Sequence, residues 1–330
     1  MFKMYKLDNI DRKILYELGK NSRLSYKQIA RNINSKKETV AYHVNQLVKN
    51  KVITKFVPVF SLSRLSIFSS KIYLRLHGLT KETEKKLYDY LISNPNIAWI
   101  AKCVGRWDLL LGMYTKNIID FSKKKNEILT KFSKYIQDYD ITQIEEGLVF
   151  NRDYLINKPV LYRKEFIFGG RVENIKLTKE DFKIINLIKN NARFQAIEIA
   201  NQLKIDARTV VNRIKNLQKK GILQGFTVFI DFKKIGINFH KLCIYLQEYD
   251  KRKVEQLISF LKQYPNTIHL IKSLGSWELE IETENEKEQN IYDFINKLKN
   301  KFPETIKQIE LVTITDELKL EFFPEKIDLL

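Results

Sequence analysis

The chain has 330 residues, 44% hydrophobic and 29% charged, enough core-forming material for several globular domains and with no apolar run near the roughly 18 residues of a membrane helix. Its two cysteines, Cys103 and Cys243, have no CxxC neighbour, which argues against a disulfide framework or a cysteine zinc site and fits a reducing cytoplasm. The net charge of +19 is localised: residues 1–71 hold 15 Lys+Arg against 4 Asp+Glu, residues 171–241 hold 15 against 6, and the remainder is nearly balanced, which is the footprint of a polyanion partner such as nucleic acid.

The opening MFKMYKLDNIDRK has no apolar signal core and is too acidic for a transit peptide. From Asp8 to Leu18, Ile10, Ile14, Leu15 and Leu18 form a helical stripe behind an N-capping aspartate. A short helix is predicted over Ser25–Ile33, with Ile29-Ala30 facing inward. A third, over about Lys36–Lys49, buries Val40, Val44, Leu47 and Val48. Three short helices with a tight turn before the last are a helix-turn-helix. The third helix then offers its outward face, Lys37, Glu38, Tyr42, His43, Asn45 and Gln46, to a groove. An extended run, Ile53–Phe60, makes a small wing. Lys51 stands where a left-handed glycine is favoured, so Asn50 is expected to end the helix.

Next come strand Ser70–Leu76, helix Lys81–Ser93, strands Ile97–Cys103 and Leu109–Tyr114 joined by Gly105-Arg106-Trp107-Asp108, helix Ile118–Ser133 and strand Ile141–Glu145. The order βαββαβ is ferredoxin-like: one antiparallel sheet with two helices on one face. Its open face needs a cover, and a second copy supplies one. A segment over 148–175 follows, with Phe150, Tyr154, Leu155, Val160, Leu161, Tyr162, Phe166, Ile167 and Phe168 before Gly169-Gly170. It is too apolar for a loose tether, so an ordered strand along the sheet is expected there.

The chain then repeats at a constant offset of 170. Asp11-Arg12-Lys13-Ile14 answers Asp181-Phe182-Lys183-Ile184, Thr39-Val40 answers Thr209-Val210, Pro95-Asn96 answers Pro265-Asn266, and Trp107 answers Trp277. This is one two-part unit and its second copy, with too long a period for a solenoid. The expected domains are a winged helix-turn-helix over 1–62, a ferredoxin-like domain over 63–147, the joining segment 148–175, a second winged helix-turn-helix over 176–232 and a second ferredoxin-like domain over 233–330. The third helix of copy two presents Arg208, Thr209, Asn212, Arg213 and Asn216.

The runs "KLDNIDRKILYELGKNSRLSYKQIA" and "KLTKEDFKIINLIKNNARFQAIEIA", with "ETVAYHVNQLVKNKVI", "RTVVNRIKNLQKKGIL", "VGRWDLLLG" and "LGSWELEIE", resemble the Lrp/AsnC family of transcription regulators across nearly the whole chain, twice. The resemblance implies an α+β chain in which each winged helix-turn-helix precedes a RAM-type ferredoxin-like domain that dimerises and often binds an amino acid. Copy two matches better in the DNA-reading domain, keeping Asp206, Arg213 and Gly221 where copy one has Lys36, His43 and Lys51. Copy one matches better in the second domain, with Gly105…Asp108 against Gly275…Glu278. Effector binding is thereby expected at Gly105, Trp107, Asp108, Gly275, Trp277 and Glu278. Siroheme decarboxylases resemble the same family in both domains and are the alternative. Their His-x-Tyr-Asn-Leu-Trp type run is missing, since "GRWDLL" and "GSWELE" contain no histidine.

Other chemistry is not indicated. The histidines His43, His77, His240 and His269 lack metal-ligand spacing, and no phosphate loop or nucleophile elbow occurs. The acidic run Glu284–Glu288 reads as a solvated helix start. The sequence therefore predicts a cytoplasmic, non-enzymatic regulator without cofactor or metal, a single-chain pseudo-dimer on double-stranded DNA. The sheet domains are expected face to face, and further homo-oligomers are left open. Base contacts are expected from Arg208, Thr209, Asn212 and Arg213, with Asn216, Tyr42, His43 and Gln46 beside them. Phosphate contacts are expected from Arg12, Lys13, Lys36, Lys37, Lys215 and Lys219. With unlike third helices, the site should not be a palindrome.

Overall fold

The computed structural model describes residues 4–156, 163–247 and 250–324. Val160, Leu161 and Tyr162 of the joining segment lie outside the described residues.

The first helical unit is α1 (Asn9–Lys20), α2 (Tyr26–Ile33) and α3 (Lys37–Lys49), followed by strand β1 (Ile53–Phe60). Asp8 and Ser25 close capping boxes on α1 and α2, each accepting a hydrogen bond from the N3 backbone N–H while the N3 side chain bonds back. Lys36 before α3 makes no such bond. Val40, Val44 and Leu47 are buried, but Val48 is 43% exposed. The expected stripe is thus one residue too wide, because Val48 falls beside the groove-facing side of the helix. At the end of α3 it is Lys51, not Asn50, that takes the left-handed conformation, with φ 57°; Asn50 stays at φ −82°. Gly221 fills the equivalent place in copy two with φ 68°.

The first sheet unit is β2 (Phe68–Leu76), α4 (Lys81–Ser93), β3 (Ile97–Val104), β4 (Leu109–Thr115), α5 (Ile118–Lys131) and β5 (Ile136–Phe150). The joining segment carries β6 (Glu165–Gly169), antiparallel to the end of β5, and turns at Gly169-Gly170, both left-handed. Copy two follows with α6 (Lys179–Ile188), α7 (Ala196–Leu203), α8 (Ala207–Lys219), β7 (Leu223–Ile230), β8 (Asn238–Leu246), α9 (Lys251–Gln263), β9 (Thr267–Gly275), β10 (Leu279–Asn285), α10 (Gln289–Lys301) and β11 (Ile306–Leu320).

The two sheets do more than face one another. Each has the order last-first-third-second, and each last strand also pairs antiparallel with the other copy: β11 with β3 and β5 with β9. Pairing of β2 with β5 closes the ring of eight strands, so no strand edge of the ring is left free among the described residues. This double duty explains why β5 and β11 run for 15 residues, far past the short strands that alternation alone suggested. Outside the ring, Ile72, Leu74 and Leu111 pack on Leu91, Phe121 and Ile128 of copy one's helices, and Leu242, Ile244 and Ile281 on Leu257, Leu261 and Phe294 of copy two's. The alternate residues, Tyr73, Trp99, Trp107, Cys243, Trp277 and Val312, fill the inside.

Candidate nucleic-acid interface

The wing strands join the helical units. β1 pairs with β7, and Val57 faces Thr227, its own counterpart at offset 170, so the local dyad passes through that pair. Each helical core is completed across it: Ile14, Leu15 and Leu18 pack with Val228 and Ile230, while Ile184, Ile185 and Ile188 pack with Phe60 and Leu62. Two arginines lock the contact reciprocally. Arg23 donates to the carbonyls of Ala192 and Phe194 at 2.9 and 3.0 Å, and Arg193 to that of Ser22 at 3.0 Å. Burial and their mutual repulsion lower the pKa of Arg23, and burial that of Arg193.

On α8, Arg208, Asn212, Lys215, Asn216 and Lys219 are exposed and Thr209 is half-buried. Asp206 caps the helix, accepting from the Arg208 backbone N–H at 2.7 Å. On the α3 side, Lys36, Lys37 and Tyr42 are exposed, Tyr42 at 62%, and Gln46 is half-buried. Arg213 and His43 sit apart from both sets, turned inward. Arg213 donates to Thr178 Oγ1 and Asp181 Oδ1 at 3.0 and 3.1 Å, and His43 Nδ1 lies 2.8 Å from Asp11 Oδ1. Both clasp the third helix to the start of the first. Lys13 is half-buried, and Arg12 is held 2.6 Å from Glu286 of the sheet domain.

The two glycine turns press on the opposite copy. A Cβ at Gly105 (φ 136°) would meet the Leu311 carbonyl at 3.0 Å, and one at Gly275 (φ 155°) the Ile141 carbonyl at 2.5 Å. Asp108 and Glu278 accept equivalent backbone bonds from Leu76 and Leu246, at 2.8 and 2.9 Å. Trp107 and Trp277 are 1% and 0% exposed, both inside the ring.

Sequence reasoning missed the centre of the ring. Lys71 and Lys241, counterparts at offset 170, both donate to Glu280 Oε2, at 2.6 and 2.7 Å. Glu280 Oε1 also accepts from Tyr73, Thr142 and the Trp277 indole. Glu282 takes Lys241 at 2.7 Å and His269 at 2.6 Å. Although burial opposes it, the two lysines hold Glu280 well below the usual carboxylate range, and Lys241 with His269 does the same for Glu282. Lys241 is pushed up by these carboxylates; Lys71 is pulled down by burial. Glu284 is not part of a solvated helix start. It lies within β10, is 2% exposed, and takes Arg152 through two bonds of 2.7 and 2.8 Å. The signal was in the sequence: Glu280, Glu282 and Glu284 alternate, which in a strand places all three on one face.

Paired winged helix-turn-helix units joined to two ferredoxin-like sheets define a class of HTH-type regulator. Residues 7–54 and 177–224 match the winged helix-turn-helix DNA-binding family. The HTH-type transcriptional regulator Ptr1 of Methanocaldococcus jannaschii is 33% identical over 102 residues, 31% of this chain and 68% of its own length. The regulator LrpC of Bacillus subtilis is 26% identical over 123 residues, 37% of this chain and 84% of its own. The chain belongs to the Lrp/AsnC family of HTH-type transcriptional regulators, with the family's unit present twice. The match to two further regulators, from Pyrococcus abyssi and Pyrococcus furiosus, spans only 57% and 54% of their lengths. A solved siroheme decarboxylase, NirDL, superposes on 96% of this chain and 95% of its own with a TM-score of 0.62. At 13% identity that is a likeness of fold alone. No helix among the described residues is long and apolar enough to cross a membrane.

Proposed function

We propose that this protein binds duplex DNA as a single-chain pseudo-dimer, each winged helix-turn-helix unit entering one of two successive major grooves about 34–36 Å apart. The observation that carries this reading is the pairing of the wing strands about Val57 and Thr227, which relates α3 and α8 by a local dyad. Arg208, Thr209, Asn212 and Asn216 read base edges from α8; Tyr42 and Gln46 do so from α3. Lys36, Lys37, Lys215 and Lys219 hold phosphates. Arg213 and His43 act on recognition by fixing the third helices, and Lys13 and Arg12 stand behind them. The domain bounds proposed above serve this arrangement, with 148–175 tying the copies together. An amino-acid effector at the two glycine turns belongs to the same reading.

The regulator reading is favoured over a decarboxylase by where the charge lies. Lys36, Lys37, Arg208, Lys215 and Lys219 of the two third-helix segments are exposed and in no ion pair among the described residues, whereas Lys71, Lys241 and Arg152 are neutralised by Glu280, Glu282 and Glu284. Fluorescence anisotropy on fragments from the gene's own upstream region and on random duplex, over a salt series, tests it. The expected result is preference for one fragment and a steep loss of affinity with salt. Absence of binding at low salt would overturn it. Repeating the titration with each common amino acid tests the effector.

A further inference from the structure

We infer that the recess between the wing strands and the open end of the ring binds a small organic cation, a primary amine on an apolar or aromatic body, with its ammonium group on the Glu317 carboxylate. The recess holds about 490 Å3. Its apolar walls include Val149, Val228, Ile230, Phe232, Phe239 and Ile268. Its polar floor is His269, Glu284, Arg152 and Glu317.

The repeat makes the assignment specific. A smaller recess of about 80 Å3 lies on copy one's inner face, meeting the first at His269 and Glu317. There, Trp99 and Tyr114 stand where the large recess has His269 and Glu284, at the constant offset of 170. The counterpart of Glu317 is Gly147, where the Phe168 ring of β6 occupies the space a Cβ would need. One face is filled by aromatic rings; its partner is open and lined with ionisable groups.

Charge pairing then selects the ligand. Arg152 is committed to Glu284, and Lys233 to Asp316 at 2.7 Å. Lys71, Lys241 and His269 are committed to Glu280 and Glu282. Glu317 receives the Trp99 indole N–H at 2.9 Å, and among the described residues no cation lies within 4 Å of it. Facing it are Glu282 and Glu284, which repel its charge, and Arg152, which favours it. Burial and that repulsion push its pKa up to about 7. An ammonium ion would supply the missing positive charge and meet apolar walls beyond it. A polycarboxylate such as a tetrapyrrole acid would add charge of the wrong sign. Because Thr54 and Lys55 of one wing strand and Val228 and Ile230 of the other form part of the wall, occupancy would also brace the paired helical units against the ring.

The test is calorimetric titration of the full chain near pH 8 with 2-phenylethylamine and with its neutral isostere 2-phenylethanol, done without DNA so that it stands apart from the DNA reading. The amine should saturate at one per chain, the alcohol should bind at least about tenfold more weakly, and Glu317→Gln should weaken the amine about tenfold or more without affecting the alcohol. Amine affinity should fall as pH drops below about 7 and Glu317 takes up a proton. In the wild-type chain the Trp99 indole N–H resonance should shift on titration while that of Trp107 does not, a readout independent of whether the variant folds. No saturable amine binding, a shift absent from Trp99, or equal amine affinity in folded Glu317→Gln would overturn the assignment.

Discussion

Copy one and copy two contribute the same lysine to the centre of the ring but very different partners. Lys71 and Lys241 are counterparts; Glu280 and Glu282 answer Leu110 and Gly112. The Trp277 indole therefore donates to Glu280, while the Trp107 indole finds no hydrogen-bond partner among the described residues. In a symmetric dimer each residue's environment recurs on both sides, so the interface must complement itself. Here it does not. Two copies of unit one would bury two lysines with neither carboxylate, and two of unit two would bury an excess of carboxylates. The difference teaches that the halves are complementary to each other, not to themselves, and that fusion lets one half specialise in charge and the other in packing.

The largest test of that comparison is to make copy two resemble copy one. Glu280→Leu leaves two buried ammonium groups with Glu282 as their one nearby carboxylate and should cost about 3–5 kcal/mol in chemical denaturation. Lys71→Met together with Lys241→Met, Glu280→Leu and Glu282→Gly should recover much of the loss, since a neutral core removes the uncompensated charge. Acid should act in the same direction. Glu280 and Glu282 have folded pKa values below their unfolded ones, so their stabilisation is present above the ordinary carboxylate range and is lost as pH falls through and below it. A denaturation midpoint that stays flat through that window would contradict the assignment.

Next in size are the third helices. Arg208→Ala or Asn212→Ala should each cut discrimination between specific and random duplex by about 1–3 kcal/mol, measured by competition anisotropy. Arg213→Ala should instead lower stability by about 1–3 kcal/mol through loss of its bonds to Asp181 and Thr178, with base preference retained in the folded fraction. The opposite pattern, unchanged stability with lost preference, would return Arg213 to the base-reading set. The smallest effects come from giving copy one the residues of copy two. Lys36→Asp should stabilise by about 0.5–2 kcal/mol by supplying the missing cap of α3. Lys51→Gly should add less, about 0.4–1 kcal/mol, because relief of the left-handed strain is offset by the freedom glycine brings to the unfolded chain.

Much of the fold was legible because its determinants are local. Capping residues, helical stripes and strand alternation repeat at offset 170, and either copy supports the reading of the other. The closed ring was not legible, since edge pairing of β3 with β11 and of β5 with β9 leaves no signature in either strand beyond extra length. The outward residues of α8 followed from periodicity, but Arg213 did not: at that position a side chain long enough to reach DNA is also long enough to reach Asp181. The buried carboxylates were hidden by composition, because acidic residues in alternation look like a solvated edge until a partner sheet covers them. Glu317 carries no motif at all, and only the comparison with Gly147 in its copy marks it.

The most direct test of the central claim is selection of the preferred duplex from random sequence, followed by sedimentation of the purified complex. One chain per duplex, bound to two half-sites about one helical turn apart with different sequences, is the expected result. Two chains on a palindromic site would contradict it, because identical half-sites would mean that one copy reads DNA and the other does not.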